Sequence, residues 1–182
     1  HFGVQDKIDV YFATFAKSFA GIGGFVAGDK DVISYLRFNL RSQIYAKSLP
    51  MAMTIGAIKR LEMMKSHPEL RENLWKIAHA LQKGFREAGF DLGKTQSPVT
   101  PVFFKGGLAQ TTQLIKDLRK NYGIFCSVVI YPVVPRGVIM LRIIPTAAHT
   151  LEDVNYTLQA FKEVKKKLES NAYPDEMADF RN

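Results

Sequence analysis

Apolar residues along the chain recur at two periods, and each period names an element. Ile8-Asp9-Val10-Tyr11-Phe12-Ala13-Thr14-Phe15 is rich in β-branched and aromatic residues and predicts a strand. The turn-prone Gly21-Ile22-Gly23-Gly24 and a second short strand, Phe25-Val26-Ala27, follow it, so two strands bracket Lys17. A short helix is expected from Asp31 to Phe38. Pro50 then opens a longer one in which Met51, Ile55, Ile58 and Leu61 recur at helical spacing. Ser66-His67-Pro68-Glu69 has the Ser-x-x-Glu pattern of a capping box, and the stripe Leu70, Leu74, Ile77, Leu81, Phe85 follows it until Gly89 closes the helix.

Helix and strand alternate in the second part of the chain. Thr100 to Lys105 predicts a strand, Leu108 to Tyr122 a helix with Leu114, Leu118 and Tyr122 on one side, and Ile124 to Tyr131 a strand. Val138 to Ile144 is the last strong strand, and Thr150-Leu151-Glu152-Asp153 caps a final helix carrying Val154, Leu158, Phe161 and Leu168. Ser170 to Asn182 is polar and is expected to be a loosely held, flexible tail. Residues 1–44 look like the closing elements of one sheet, and residues 45–169 read as a separate small α/β domain led by a loop and a helix.

Composition narrows the class. In 182 residues, 47% apolar and 23% charged positions suffice for a buried core and exclude disorder, coiled coil and collagen. The net charge of +8 suits an anionic partner: a phosphate-bearing cofactor, a nucleotide-containing substrate, nucleic acid or an acidic membrane face. Nucleic acid is disfavoured, because the basic residues are scattered over amphipathic helices and form no run interleaved with aromatics. The single cysteine, Cys126, can make neither an internal disulfide nor a Cys-based metal site; it suits a reducing cytosol and a role as a small filler in a strand. His67 and His79 lack metal-ligand spacing, so no metal is expected. No uncharged apolar run approaches the roughly 20 residues that span a bilayer, so a cytoplasmic protein with at most peripheral membrane contact is expected. His1 to Lys7 has neither an initiator Met nor the regions of a signal peptide, and a piece of a longer chain is expected.

Two residues stand out chemically. Lys17 lies between a strand and glycines with few charges near it, and desolvation there would favour the neutral amine that forms a Schiff base with an aldehyde. The alternative is a lysine that snorkels to water past an apolar segment. Strand alternation puts Arg142 on one face with Val138, Met140 and Ile144, where a guanidinium calls for a planar anion such as a carboxylate or phosphate. An internal Asp or Glu partner, or a strand end open to solvent, is the other possibility. Thr14 and Ser18 place hydroxyls beside the lysine, and Ser48 precedes a helix start whose free amides suit a phosphate, although Ser48 could equally be a simple cap. His149 precedes a helix and is expected to support its cap.

Together the segments resemble a known family. Thr14-Phe15-Ala16-Lys17-Ser18, Gly23-Gly24-Phe25-Val26-Ala27-Gly28, Tyr45-Ala46-Lys47-Ser48-Leu49-Pro50, and Val134-Pro135-Arg136-Gly137 through Leu141-Arg142-Ile143 to Ala147-Ala148-His149-Thr150 are similar to the α-oxoamine synthases, which are pyridoxal-phosphate enzymes of fold type I. The resemblance covers the chain to about Leu168. It implies an α/β fold, the end of a large cofactor-binding domain plus the small C-terminal domain. It further implies that Lys17 carries pyridoxal phosphate as an internal aldimine, that Thr14 bonds the cofactor phosphate, and that Arg142 holds the substrate carboxylate. A homodimer is also implied, with the Ser48 loop reaching the phosphate across the subunit interface.

Family members condense an amino acid with an acyl-CoA and release carbon dioxide, the lysine acting as both anchor and base. The lean is toward serine palmitoyltransferase-like or glycine C-acetyltransferase-like activity, with serine or glycine as amino acid. The alternatives are 8-amino-7-oxononanoate synthase, a class I/II aminotransferase and a non-catalytic partner subunit. Ala16, Ala46 and Lys47 depart from the small or hydroxyl residues common at those family positions. The family's acidic partner of the pyridine nitrogen and its ring-stacking aromatic lie upstream of the first residue here, so these 182 residues alone are expected to have little or no activity.

Overall fold

The computed structural model describes residues 2–173, and contacts group the chain into two units, His1–Pro68 and Glu69–Asn182. In the first, a 3-10 turn at Gln5–Lys7 leads into strands β1 (Val10–Thr14) and β2 (Gly24–Gly28), which pair antiparallel from Val10↔Gly28 to Thr14↔Gly24. Helix α1 (Lys30–Asn39) starts where the Asp29 carboxylate accepts the Asp31 amide at 2.9 Å, a side-chain N-cap. A six-residue helix α2 (Arg41–Ala46) comes next; it has no side-chain cap and is too short to show a period, which is why the sequence pattern does not reveal it. Helix α3 (Met51–Ser66) follows Pro50 as expected.

The apolar stripe of α3 forms but is not buried: Met51, Ile55, Ile58 and Leu61 are 42–72% exposed. Among the described residues of this unit only Ala57 is buried. The Ser66 capping box is also corrected. The Ser66 hydroxyl donates back to the carbonyls of Glu62 (3.0 Å) and Met63 (3.3 Å), so it finishes α3 and does not start the next helix.

The second unit holds the core. Helix α4 (Pro68–Glu87) ends at Gly89, whose φ of +72° is the left-handed conformation that closes a helix, with the Phe90 amide bonding back to the Phe85 carbonyl at 3.0 Å. Strands β3 (Thr100–Lys105), β4 (Ser127–Val129) and β5 (Val138–Ile143) form an antiparallel sheet in the order β3-β5-β4. Strand β4 is much shorter than the Ile124–Tyr131 expected, because its ladder with β5 runs only from Ser127↔Arg142 to Val129↔Met140. One sheet face, carrying Val102, Phe104, Ile139, Leu141 and Ile143, is buried with Ile77, Leu81 and Phe85 of α4, Leu114 and Leu118 of α5 (Leu108–Asn121), and Val154, Phe161 and Val164 of α6 (Leu151–Glu169). Alternation leaves Pro101, Phe103, Met140 and Arg142 on the other face. A Cβ at Gly84 would collide with Leu158, so this glycine sets the close approach of α4 and α6.

Helix α6 starts as the sequence predicts, with Thr150 and Asp153 bonding each other's backbone amides at 2.8 and 3.2 Å. His149 supports that turn by accepting the Thr146 amide on Nδ1 at 2.9 Å. Cys126 is buried just ahead of β4, and burial pushes its thiol up to about 11, consistent with an inert filler. Among the described residues no helix is long and apolar enough to cross a membrane, and no group of His, Cys, Asp and Glu could hold a metal ion.

The chain beyond α6 is anchored at Tyr173. Tyr173 is buried and donates its hydroxyl to Asp117 of α5; positions 174–182 of the expected tail lie outside the described residues. Asp117 also accepts from Lys167 Nζ at 2.8 Å and Asn121 Nδ2 at 2.6 Å, and Tyr122 donates to Glu163 at 2.7 Å while accepting from Lys167 at 3.2 Å. Burial alone would raise the Asp117 carboxyl, but the hydrogen bonds from Lys167, Tyr173 and Asn121 outweigh it and hold the group below its ordinary 3.8. A depressed carboxyl adds stability above its unfolded value that is lost as pH falls through the lower, folded one. The denaturant midpoint should therefore drop below about pH 4. Asp117→Asn should lower stability at neutral pH by about 2 kcal/mol and flatten that acid limb. An unchanged acid limb in the variant would refute the assignment.

Candidate functional site

Lys17 lies in the connection between β1 and β2. Its ends are fixed by the Phe15 amide on the Gly23 carbonyl (2.8 Å) and the Gly21 amide on the Phe15 carbonyl (2.8 Å), while the Lys17 carbonyl accepts the Ala20 amide at 2.9 Å. The tight turn holds the backbone and leaves the side chain exposed. The desolvated setting expected from the apolar flanks is therefore not supplied by the described residues around it.

Thr14, the last residue of β1, has its hydroxyl proton committed. Oγ1 donates to the Gly23 carbonyl at 3.2 Å and accepts the Ala16 amide at 3.1 Å. A hydroxyl has one proton, so an anion bound here would have to draw it away from Gly23. Gly24 pairs with Thr14 so closely that a Cβ would lie 2.5 Å from the Ala13 carbonyl oxygen. Gly23, with φ +88°, faces Leu49, whose Cδ2 would lie 2.5 Å from an added Cβ. That contact brings the Lys47-Ser48-Leu49 loop against the lysine turn. Ser48 is exposed and lies two residues before the Pro50 N-cap of α3, where first-turn amides lack helical partners. Lys17, Thr14 and Ser48 thus belong to one neighbourhood, whose chemistry is an exposed primary amine with hydroxyls and amides that suit an anion.

Arg142 lies in the second unit, on the outward sheet face. Across the ladder it pairs with Pro101 of β3 and Ser127 of β4, and its Nε donates to Ser127 Oγ at 3.0 Å. The end of the guanidinium stays available for a planar anion. Neither of the internal carboxylate partners considered from the sequence is present: among the described residues Arg142 makes no ion pair.

Beside Arg142 is a cavity of about 290 Å³, lined also by Lys94, Thr95, Ser97, Phe103 and Met140. Sequence reasoning missed Lys94. It sits in the polar loop Gly93-Lys94-Thr95-Gln96-Ser97, and no spacing ties it to a residue forty-odd positions later. The loop is pinned from beneath by buried Gln82, which donates to the Ser97 carbonyl at 2.9 Å and to Thr100 Oγ1 at 3.2 Å.

The profile described as aminotransferase class I and II matches residues 1–161. The chain is 56% identical over 173 residues to the cysteate-C-fatty acyltransferase of Capnocytophaga ochracea, covering 95% of this chain and 41% of that protein. It is 38% identical to the serine palmitoyltransferase of Sphingobacterium spiritivorum, covering 93% and 42%. A solved structure, serine palmitoyltransferase with the pyridoxal-phosphate internal aldimine, superposes with a TM-score of 0.82 at 27% identity, covering 92% of this chain and 42% of that one. The chain spans about two fifths of the length of these relatives.

Proposed function

The chain belongs to the class I and II aminotransferase family and, within it, to the α-oxoamine synthases, and on that premise we propose that the whole protein condenses an amino acid with a long-chain acyl-CoA and releases carbon dioxide. The family's cofactor is pyridoxal phosphate. The observation that carries the reading is the 56% identity to a fatty acyltransferase over nearly all of this chain.

The residues present suit the cofactor. Lys17 offers an exposed amine to its aldehyde, Thr14 would turn its hydroxyl proton from Gly23 to the phosphate of that site, and Ser48 with the first amides of α3 offers donors to a phosphate reached across a subunit interface. When bound, the cofactor supplies an electron sink for negative charge at the substrate Cα. Lys17 anchors it and, once free, takes and returns the proton at Cα. Arg142 orients the substrate by its carboxylate. In the net reaction a bond forms between Cα and the acyl carbon, and the thioester C–S bond and the Cα–carboxylate bond break. One proton is consumed, and the products are the aminoketone, carbon dioxide and free CoA thiol. A homodimer belongs to the same proposal, with Ser48 facing the second subunit's cofactor phosphate.

The test uses the full-length protein with pyridoxal phosphate, amino acids and acyl-CoAs of different length. Thiol release with palmitoyl-CoA, at least about tenfold faster than with acetyl-CoA, is the expected result. Amino-group exchange with a 2-oxo acid and no thiol release would instead establish a plain aminotransferase.

A further inference from the structure

Resting on the acyltransferase reading above, we propose that the amino-acid substrate carries a second anion on its side chain, such as a sulfonate, and that Lys94 binds it while Arg142 holds the α-carboxylate. Both cations line the same 290 Å³ cavity, and among the described residues neither has an ion-pair partner. Two cations at one concavity that meet no carboxylate add to one local positive potential, which attracts a ligand with two negative charges more than one with a single charge.

The other polar groups of the cavity do not compete for that role. Thr95 Oγ1 and Ser97 Oγ donate their protons to the Val99 carbonyl, at 3.0 and 3.3 Å, which leaves Lys94 and Arg142 as its charged donors. The carboxylate closest in sequence, Asp91, accepts the Gly93 amide at 2.9 Å within the turn and does not pair with Lys94. The floor is apolar, formed by Pro101, Phe103 and Met140. Because Gln82 and the Val99 carbonyl fasten the loop from Thr95 to Thr100, the Lys94 backbone is held beside a fixed segment. A serine hydroxymethyl group would leave Lys94 without a charge to meet, whereas cysteate, the substrate in the name of the 56% identical relative, would satisfy both cations.

The experiment compares full-length wild type, Lys94→Met and Lys94→Arg, each loaded with pyridoxal phosphate, by thiol release from palmitoyl-CoA with cysteate or serine. Lys94 is exposed, so neither variant should disturb folding. Wild type is expected to prefer cysteate. Lys94→Met should raise the KM for cysteate about tenfold or more, with kcat within about twofold and the KM for serine unchanged, and Lys94→Arg should recover most of the loss. An unchanged cysteate KM in Lys94→Met, or equal rises for both amino acids, would overturn the role of Lys94 while leaving the acyltransferase reading intact. Absence of thiol release by wild type with any amino acid would overturn both.

Discussion

Lys17→Ala in the full-length protein is expected to abolish the visible absorption of bound pyridoxal phosphate and to lower thiol release by about 10³-fold or more, since the proposed mechanism gives one amine the tasks of both anchor and base. The fold should be untouched. The Lys17 side chain is exposed, and the hydrogen bonds that shape its turn run through the backbone of Phe15, Lys17, Ala20, Gly21 and Gly23. Stability should therefore stay within about 0.5 kcal/mol of wild type, with an unchanged far-UV circular dichroism spectrum. Lys17→Arg should not rescue, because a guanidinium stays protonated at neutral pH and is not a nucleophile toward an aldehyde. A visible band that survives in Lys17→Ala would remove Lys17 from its assigned role.

The second large effect is on stability. Phe161 of α6 is fully buried, with its ring centroid 5.1 Å from Phe85 in an edge arrangement, 6.3 Å from Phe90 and 6.4 Å from Phe104. It joins α6, α4 and the buried face of β3. Phe161→Ala removes a large apolar group and three ring contacts, and close packing leaves little room for collapse into the gap, so a loss of about 3–5 kcal/mol is expected. Against a typical total of about 5–15 kcal/mol, that change could unfold much of the second unit at physiological temperature. Phe161→Leu keeps more of the volume and should cost less than the alanine variant. Denaturant midpoints with unchanged slopes would measure both. A loss under about 1 kcal/mol in Phe161→Ala would contradict the central place of this ring.

Much of this was legible without coordinates. The stripe from Ile77 through Leu81 to Phe85, the alternation in β5 and the Thr150–Asp153 box all appear where their periods predict. These are short-range signals: helical and strand periods fix the direction of each side chain around its own element, and a capping box spans four residues. The Lys17 and Arg142 segments stood out through their resemblance to a family whose motifs are contiguous stretches, while their residue types alone left more than one role open.

Other features depended on which elements meet. The stripe on α4 is buried at Ile77, Leu81 and Phe85 against the sheet, α5 and α6, a set of neighbours that no local period names. Ser66 fits a capping box in letters, but α3 runs through it and takes its hydroxyl. Tyr173 reads as tail and becomes a partner of Asp117, and Lys94 reads as loop and becomes a neighbour of Arg142. The chain's local pattern therefore set its elements, their faces and the two chemical segments. Packing settled which faces became core, how far β4 pairs, and which distant charges share a cavity, because burial and long-range proximity arise from contacts between elements that no local period encodes.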